Sequence, residues 1–520
     1  MKRFVTFALI GALVLGVSSM VYANVCAFDP VPAATILFPF VNFDYDAYRA
    51  GLNGTDTIFS ITNVSAEAQI VHVTVWTDFS AAILDFNILL TGYDVISMKT
   101  SSILGEGQLP ITLNEGHNTP PLTDELIEGV EPNGPVSAPN GAINGAWIAP
   151  RMDLPQATNQ LPAGSCDSSN PSYPGKYVQK IPDNYLGLFE SYLKVSQIKT
   201  REHSDACSPP PFEPSYALTP EPFWVQRDGT YPTWMYITAD VVEYCNKYFP
   251  SDEEYYTFEA IAYQNVLIGD VFWVNEEERF SEASNAVHLE ASNPYLANVA
   301  TISPDTGQPI SFYHRYAANA GTTVYDWREP LPTAWGFRYL GAGMPGVGTD
   351  VRVWKGSTNE RDTIDLERDG ADEFSPDALI ASNCHAYTYY AWDEDEMVTT
   401  VTTVPWSQPG TSTTVIPNLI PLETQEVPVD QFDTPGAFGW MLFVWPASNY
   451  DPWDATVPAP YDYYQTWMGV KYNAYGAWSA AMDAAVMANF NCFSDQILPN
   501  LGVDYGYVDG AGYVTSPMLP

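Results

Sequence analysis

"IVHVTVW" (Ile70–Trp76) alternates with period two: Val71, Val73 and Val75 point one way, His72, Thr74 and Trp76 the other. The pattern recurs on both sides. "TIFSIT" (57–62) puts Phe59 and Ile61 on one face, Asn63-Val64-Ser65 turns the chain, and "LDFNILL" (84–90) places Leu84, Phe86 and Ile88 together. Alternation broken by turns predicts an antiparallel sheet with one face in water. On that reading His72 is an exposed strand residue. Asn63-Val64-Ser65 also fits a glycosylation sequon, although the turn alone explains it.

The alternation continues far along the chain. "WMYITADVVEYC" (234–245), "NVLIGDVFWVN" (265–275), "NAVHLEA" (285–291), "WGFRYL" (335–340) and "DVRVW" (350–354) read as strands, as do "GWMLFVW" (439–445) and "TWMGVKY" (466–472). Between Gly105 and Lys180 it dissolves into Pro, Gly and Asn. "NYLGLFESYLKVSQ" (184–197) then spaces Leu186, Phe189 and Leu193 as a helical stripe. The Ala-rich run "AWSAAMDAAVMANF" (477–490) reads as a short helix by propensity. No periodic repeat of the solenoid or propeller kind is present.

These elements predict a mainly β protein of two or more antiparallel β-sandwich, immunoglobulin-like domains. Strands of 24–110 begin the first sandwich. Residues 111–215 form an irregular insertion with one helix near 183–200, and strands within 216–300 complete the sandwich. Residues 301–520 form a second β-rich domain, with its helix near 477–490.

The start of the chain reads as a secretory signal peptide over 1–23. Lys2 and Arg3 precede an apolar run, and Val21-Tyr22-Ala23 leads to cleavage between Ala23 and Asn24. A protein secreted to the periplasm or cell exterior, without a membrane span, is the expectation. Lys plus Arg number 21 against 62 Asp plus Glu, a net charge of −41, which argues against nucleic acid as a partner. The six cysteines fit disulfides in an oxidising compartment. Cys166 and Cys207 flank the helical stripe and are the expected pair, while Cys26, Cys245, Cys384 and Cys492 stay unassigned.

"FSITNVSAEAQIVHVTVWTDFSAAILDFNILLTGYDV" (59–95), "NVLIGDVFWVNEEERFSEASNAVHLEA" (265–291) and "REPLPTAWGFRYL" (328–340) resemble segments of exported, β-rich hypothetical proteins of bacteria. The first also resembles immunoglobulin-like surface modules through Phe59, Ile61, Asn63 and Ser65. The resemblance implies a sandwich and no activity.

Catalytic motifs are not found. There is no G-x-S-x-G elbow, H-E-x-x-H or Walker loop, and the six histidines are scattered singly. "WDEDE" (392–396) lies between "HAYTYYAW" (385–392) and "MVTTVTTV" (397–404), so its acids are expected at a solvated hairpin tip. Arg315, Arg328, Arg338, Arg352 and Lys355 concentrate positive charge, expected to pair with surplus acids on strand faces. The loop at 450–467 mixes aromatics with acids, as sugar-binding faces do. "DLERDGAD" (365–372) places Asp365, Glu367 and Asp369 at alternate positions with Gly370 and Asp372 after them, the spacing of a weak Ca²⁺ site. No other cofactor is indicated. An exported, non-enzymatic structural or binding protein is the leading reading, its partner an unknown protein or polysaccharide, with self-association open. A carbohydrate-active protein is the alternative.

Overall fold

The first five strands follow the alternation closely: β1 (Thr35–Asn42), β2 (Thr55–Asn63), β3 (Gln69–Thr77), β4 (Ala82–Leu90) and β5 (Val95–Lys99). After the insertion come β6 (Trp234–Val242), β7 (Leu267–Asn275), β8 (Phe280–Asn285) and β9 (Val287–Leu289). The computed structural model describes residues 31–78, 82–110, 233–242, 261–276, 280–291, 311–317, 326–332, 334–357, 387–395, 397–403, 422–445, 448–450, 458–462, 464–474 and 478–486, with single positions near 80, 186–194, 249–256 and 420.

These strands form two antiparallel sheets, in the orders β4-β3-β6-β1-β9 and β5-β2-β7-β8. They face one another across aromatic rings. Phe38 of β1 meets Phe59 of β2 at 4.9 Å, and the Trp273 indole N–H donates to the Phe40 carbonyl at 3.0 Å. Strand β6, which follows the insertion, lies in the centre of its sheet between β3 and β1.

The second sandwich uses β10 (Ala334–Leu340), β11 (Gly348–Ser357), β12 (Tyr387–Asp393), β13 (Val398–Thr403), β14 (Thr424–Pro428) and β15 (Phe438–Val444). A small hairpin of β16 (Ser448–Tyr450) and β17 (Pro458–Asp462) intervenes. Then come β18 (Tyr464–Ala474), β19 (Trp478–Asp483) and β20 (Ala485–Val486). The antiparallel sandwich class expected from the alternation is thus what the chain adopts.

Strand for strand the two sandwiches have one topology. The orders β4-β3-β6-β1-β9 and β5-β2-β7-β8 reappear as β13-β12-β15-β10-β20 and β14-β11-β18-β19, with β16 and β17 as an addition. The registers agree too. Ile237 pairs with Phe38 and Val75, and Met441 pairs with Phe337 and Ala391. Trp76 therefore corresponds to Trp392, Tyr236 to Trp440, Asp240 to Val444 and His72 to Thr388. The repeat is one of topology and leaves little trace in residue identity.

Two expectations change. The Ala-rich run is strand, not helix: Ala480 and Ala481 pair with Tyr472 and Lys471. A neighbouring strand supplies backbone partners, and this tertiary context overrides alanine's helical preference. Strand β3 has no wet face, because every residue from Gln69 to Thr77 is buried. Its second face is covered by later segments of the chain. Leu186, Gly187, Phe189, Glu190 and Leu193 are helical, with Phe189 and Leu193 buried in the core. No helix among the described residues is long and apolar enough to cross a membrane.

Candidate functional site

Titratable groups concentrate on the outer face of the five-stranded sheet of the first sandwich. Strand pairing sets the layout: His72 lies beside Asp240 on β6 and Asn87 on β4, and Thr35 lies beside Asp240. His72, Asp85 and Asp240 are fully buried, so His72 is not the exposed strand residue that simple alternation implies. Its Nδ1 lies 3.0 Å from the Asn87 amide oxygen and its Nε2 3.6 Å from Asp85.

The cover comes from elsewhere in the chain. Asp240 accepts hydrogen bonds from Thr35 (2.6 Å), Tyr255 (2.6 Å) and Tyr313 (3.2 Å). Arg328 reaches in above it. The guanidinium donates to Thr35 through Nε and to Asp326 through Nη1 at 2.6 Å, and Nε lies 3.7 Å from Asp240. It also lies over the rings of Tyr263 and Tyr313. Burial would lower the pKa of Arg328, but Asp326 and Asp240 hold it well above its ordinary value. Burial, reinforced by Asp240, pushes the hydroxyls of Tyr255 and Tyr313 well up, so both stay proton donors.

The cluster is closed to solvent. Tyr255 and Asp240 are 0% exposed and Arg328 is 1% exposed. Its chemistry is that of a lock: residues 311–317 and 326–331 are held on the first sandwich by one guanidinium between two carboxylates.

A second ionic group marks the junction of the two sandwiches. Arg352 on β11 reaches Glu282 on β8 at 2.8 Å and Glu426 on β14 at 2.7 Å. Lys471 approaches Glu426 and Asp350 at 3.4 and 3.8 Å. The Arg352 guanidinium lies against the Trp273 ring, 4.2 Å from its centroid. Burial would raise the Glu426 carboxyl, but Lys471 and Arg352 together hold it below the ordinary range. Alternation alone could not signal these pairings, because each joins strands far apart in sequence.

Asp393, Glu394 and Asp395 of "WDEDE" lie at the tip of the β12–β13 hairpin, as expected, and Glu396 lies outside the described residues. Asp393 Oδ1 accepts from the backbone N–H of Asp395 (3.0 Å) and Met397 (2.8 Å), and Glu394 pairs with exposed Arg338. Arg328, Arg338 and Arg352 are thus ion-paired and Lys355 is fully buried, while the Arg315 side chain lies outside the described residues. Asn63 is buried as well. Its amide nitrogen donates to the carbonyls of Glu67 and Thr91 and its oxygen accepts from Ser65, so the turn occupies the sequon.

In the 450–467 stretch Trp467 is buried at 4%, and the side chains of the other aromatic residues there lie outside the described residues. An open ladder runs over the outer face of the second sandwich. Trp392 stacks on Trp440 at 4.3 Å and on Tyr390 at 5.8 Å. The rings lie nearly parallel, so Trp392 is stacked against both neighbouring rings.

The Ca²⁺ residues Asp365, Glu367, Asp369 and Asp372, and the pair Cys166 and Cys207, lie outside the described residues. Among the described residues no group of three or more His, Cys, Asp or Glu is placed to hold a metal. Compared with family models, curated proteins and solved structures, the chain has no match.

Proposed function

We propose that this is an exported, non-enzymatic structural protein that serves as a scaffold of the bacterial exterior. One observation carries the reading: its buried cations join parts of the chain to one another. Arg328 fastens residues 311–317 and 326–331 to the first sandwich through Asp240 and Thr35, and Arg352 fastens the second sandwich to the first. We read these buried ion pairs as fixing one arrangement of the parts, a role such pairs have in some proteins. The signal-peptide reading of residues 1–23 supports the compartment. A disulfide between Cys166 and Cys207 belongs to the same picture.

The decisive test is a polysaccharide hydrolysis screen with a glycan array on purified protein. No turnover is expected. Reproducible turnover abolished by one Asp or Glu substitution overturns the scaffold reading. A single weak Ca²⁺ site at Asp365, Glu367, Asp369 and Asp372 belongs to the proposal, with affinity of roughly 10⁻⁴–10⁻³ M as in extracellular modules. Millimolar calcium should raise the Tm of the wild type and not of Asp369→Ala. Equal shifts, or none, exclude this loop.

A further inference from the structure

The junction between the sandwiches joins one end of the first to the outer face of the four-stranded sheet of the second. The end is built from Phe40, Asp78, Tyr236 and Trp273. On it rests the face carrying Arg352, Trp354 and Thr424. Trp354 meets Tyr236 edge-on at 5.8 Å, Thr424 Oγ1 donates to the Pro39 carbonyl at 2.7 Å, and the Glu423 N–H donates to the Asp78 carbonyl at 2.8 Å.

The edge strands β8 and β19 also meet at this junction, but because the topology repeats, the rest of each half has a counterpart that the junction leaves uncovered. The matching end of the second sandwich is open. Tyr236 is 2% exposed, but its counterpart Trp440 is 38% exposed, beside Phe438 at 41%, Val398 at 46% and Met397 at 63%. The matching face of the first sandwich, the outer side of β5-β2-β7-β8, is open too. Phe272 is 42% and Val95 58% exposed there, with Ile58 half-buried between their strands.

We propose that a second copy of this chain covers the open end: the Trp392–Trp440 end of one molecule docks on the Phe272 face of the next. This deepens the scaffold reading and rests on it. The contact continues an interface already built inside the chain. It is heterologous, joining two different patches, and such contacts extend into rings or filaments unless they close on themselves. Each copy carries a net charge of −41, and the acidic tip at Asp393–Asp395 lies at the rim, so repulsion opposes assembly at low salt. Screening relieves it, since the Debye length shrinks as ionic strength rises.

The test is sedimentation velocity on the full chain at low and high salt, with Trp440→Glu, Phe272→Glu and their equimolar mixture. Wild type should form a concentration-dependent oligomer series that grows with salt. Each variant alone should remain a monomer, while the mixture should form a dimer and stop, because each variant keeps one intact half of the contact. Circular dichroism confirms that both fold. If either does not, Val398→Lys and Val95→Lys replace them in the same mixing design. A wild-type monomer at every salt concentration overturns the proposal, as does association untouched by either substitution. A benzophenone side chain at position 398 should cross-link two copies; cross-linking to residues 487–520 of the same chain also overturns it. These outcomes concern assembly alone, whereas the scaffold reading fails only by turnover.

Discussion

At the scale of single residues, Arg328 has the most to lose. It is buried between Asp240 and Asp326, so Arg328→Met strands two carboxylates in the interior. Removing one partner of a buried pair costs about 3–5 kcal/mol, and urea unfolding should show a loss of that size. Glu426 makes a second case, through pH. Its folded-state carboxyl lies below its ordinary value of 4.5 because Lys471 and Arg352 outweigh burial. A depressed carboxylate contributes stability that is fully present above the unfolded value and lost as pH falls through the folded one. Melting curves from neutral pH downward should therefore show wild type losing stability below about pH 4.5, with a shallower acid slope in Glu426→Gln. Neither role is visible in the sequence. Arg328 and Arg352 stood out as a basic cluster, and pairing with surplus acids was the natural expectation, but nothing local names Asp240 or Glu282 as the partners.

At the scale of elements, the β12–β13 hairpin shows what the acids of "WDEDE" do. Asp393 is the one with a structural task, capping two backbone N–H groups of the turn. Asp393→Ala should cost about 1 kcal/mol, the usual worth of such hydrogen bonds, whereas Asp395→Asn should leave the unfolding midpoint unchanged. The hairpin was legible because β-branched and aromatic residues flank a short polar tip. The strand at 478–483 was not, because alanine carries no period-two signal and its partner strand supplies the only reason to extend. His72 misled for a related reason. Alternation tells which residues share a face, but only the cover laid over that face decides whether it is wet.

At the scale of the whole molecule, buried apolar residues from both sandwiches form a continuous cluster from Ala33 to Ala484. The halves should unfold together. Calorimetry is expected to show one transition in the wild type, and Arg352→Met, which loosens the junction, should split or broaden it. Two separate wild-type transitions would contradict a shared core. The duplication behind this architecture escaped sequence reading because backbone pairing repeats while side chains diverge: Asp240 in one half answers to Val444 in the other.

The central place of β6 has a consequence for the order in which the chain becomes a protein. Thr35 must wait for Asp240, 205 residues later, and Trp76 for Thr238, 162 residues later. Until Trp234–Val242 emerges during synthesis, β1 and β3 each expose a bare edge, the kind of surface that recruits other chains. Contacts so distant are also slow to close. The chain thus passes a long interval with its first sheet missing its middle, and the insertion that precedes β6 sets how long that interval lasts.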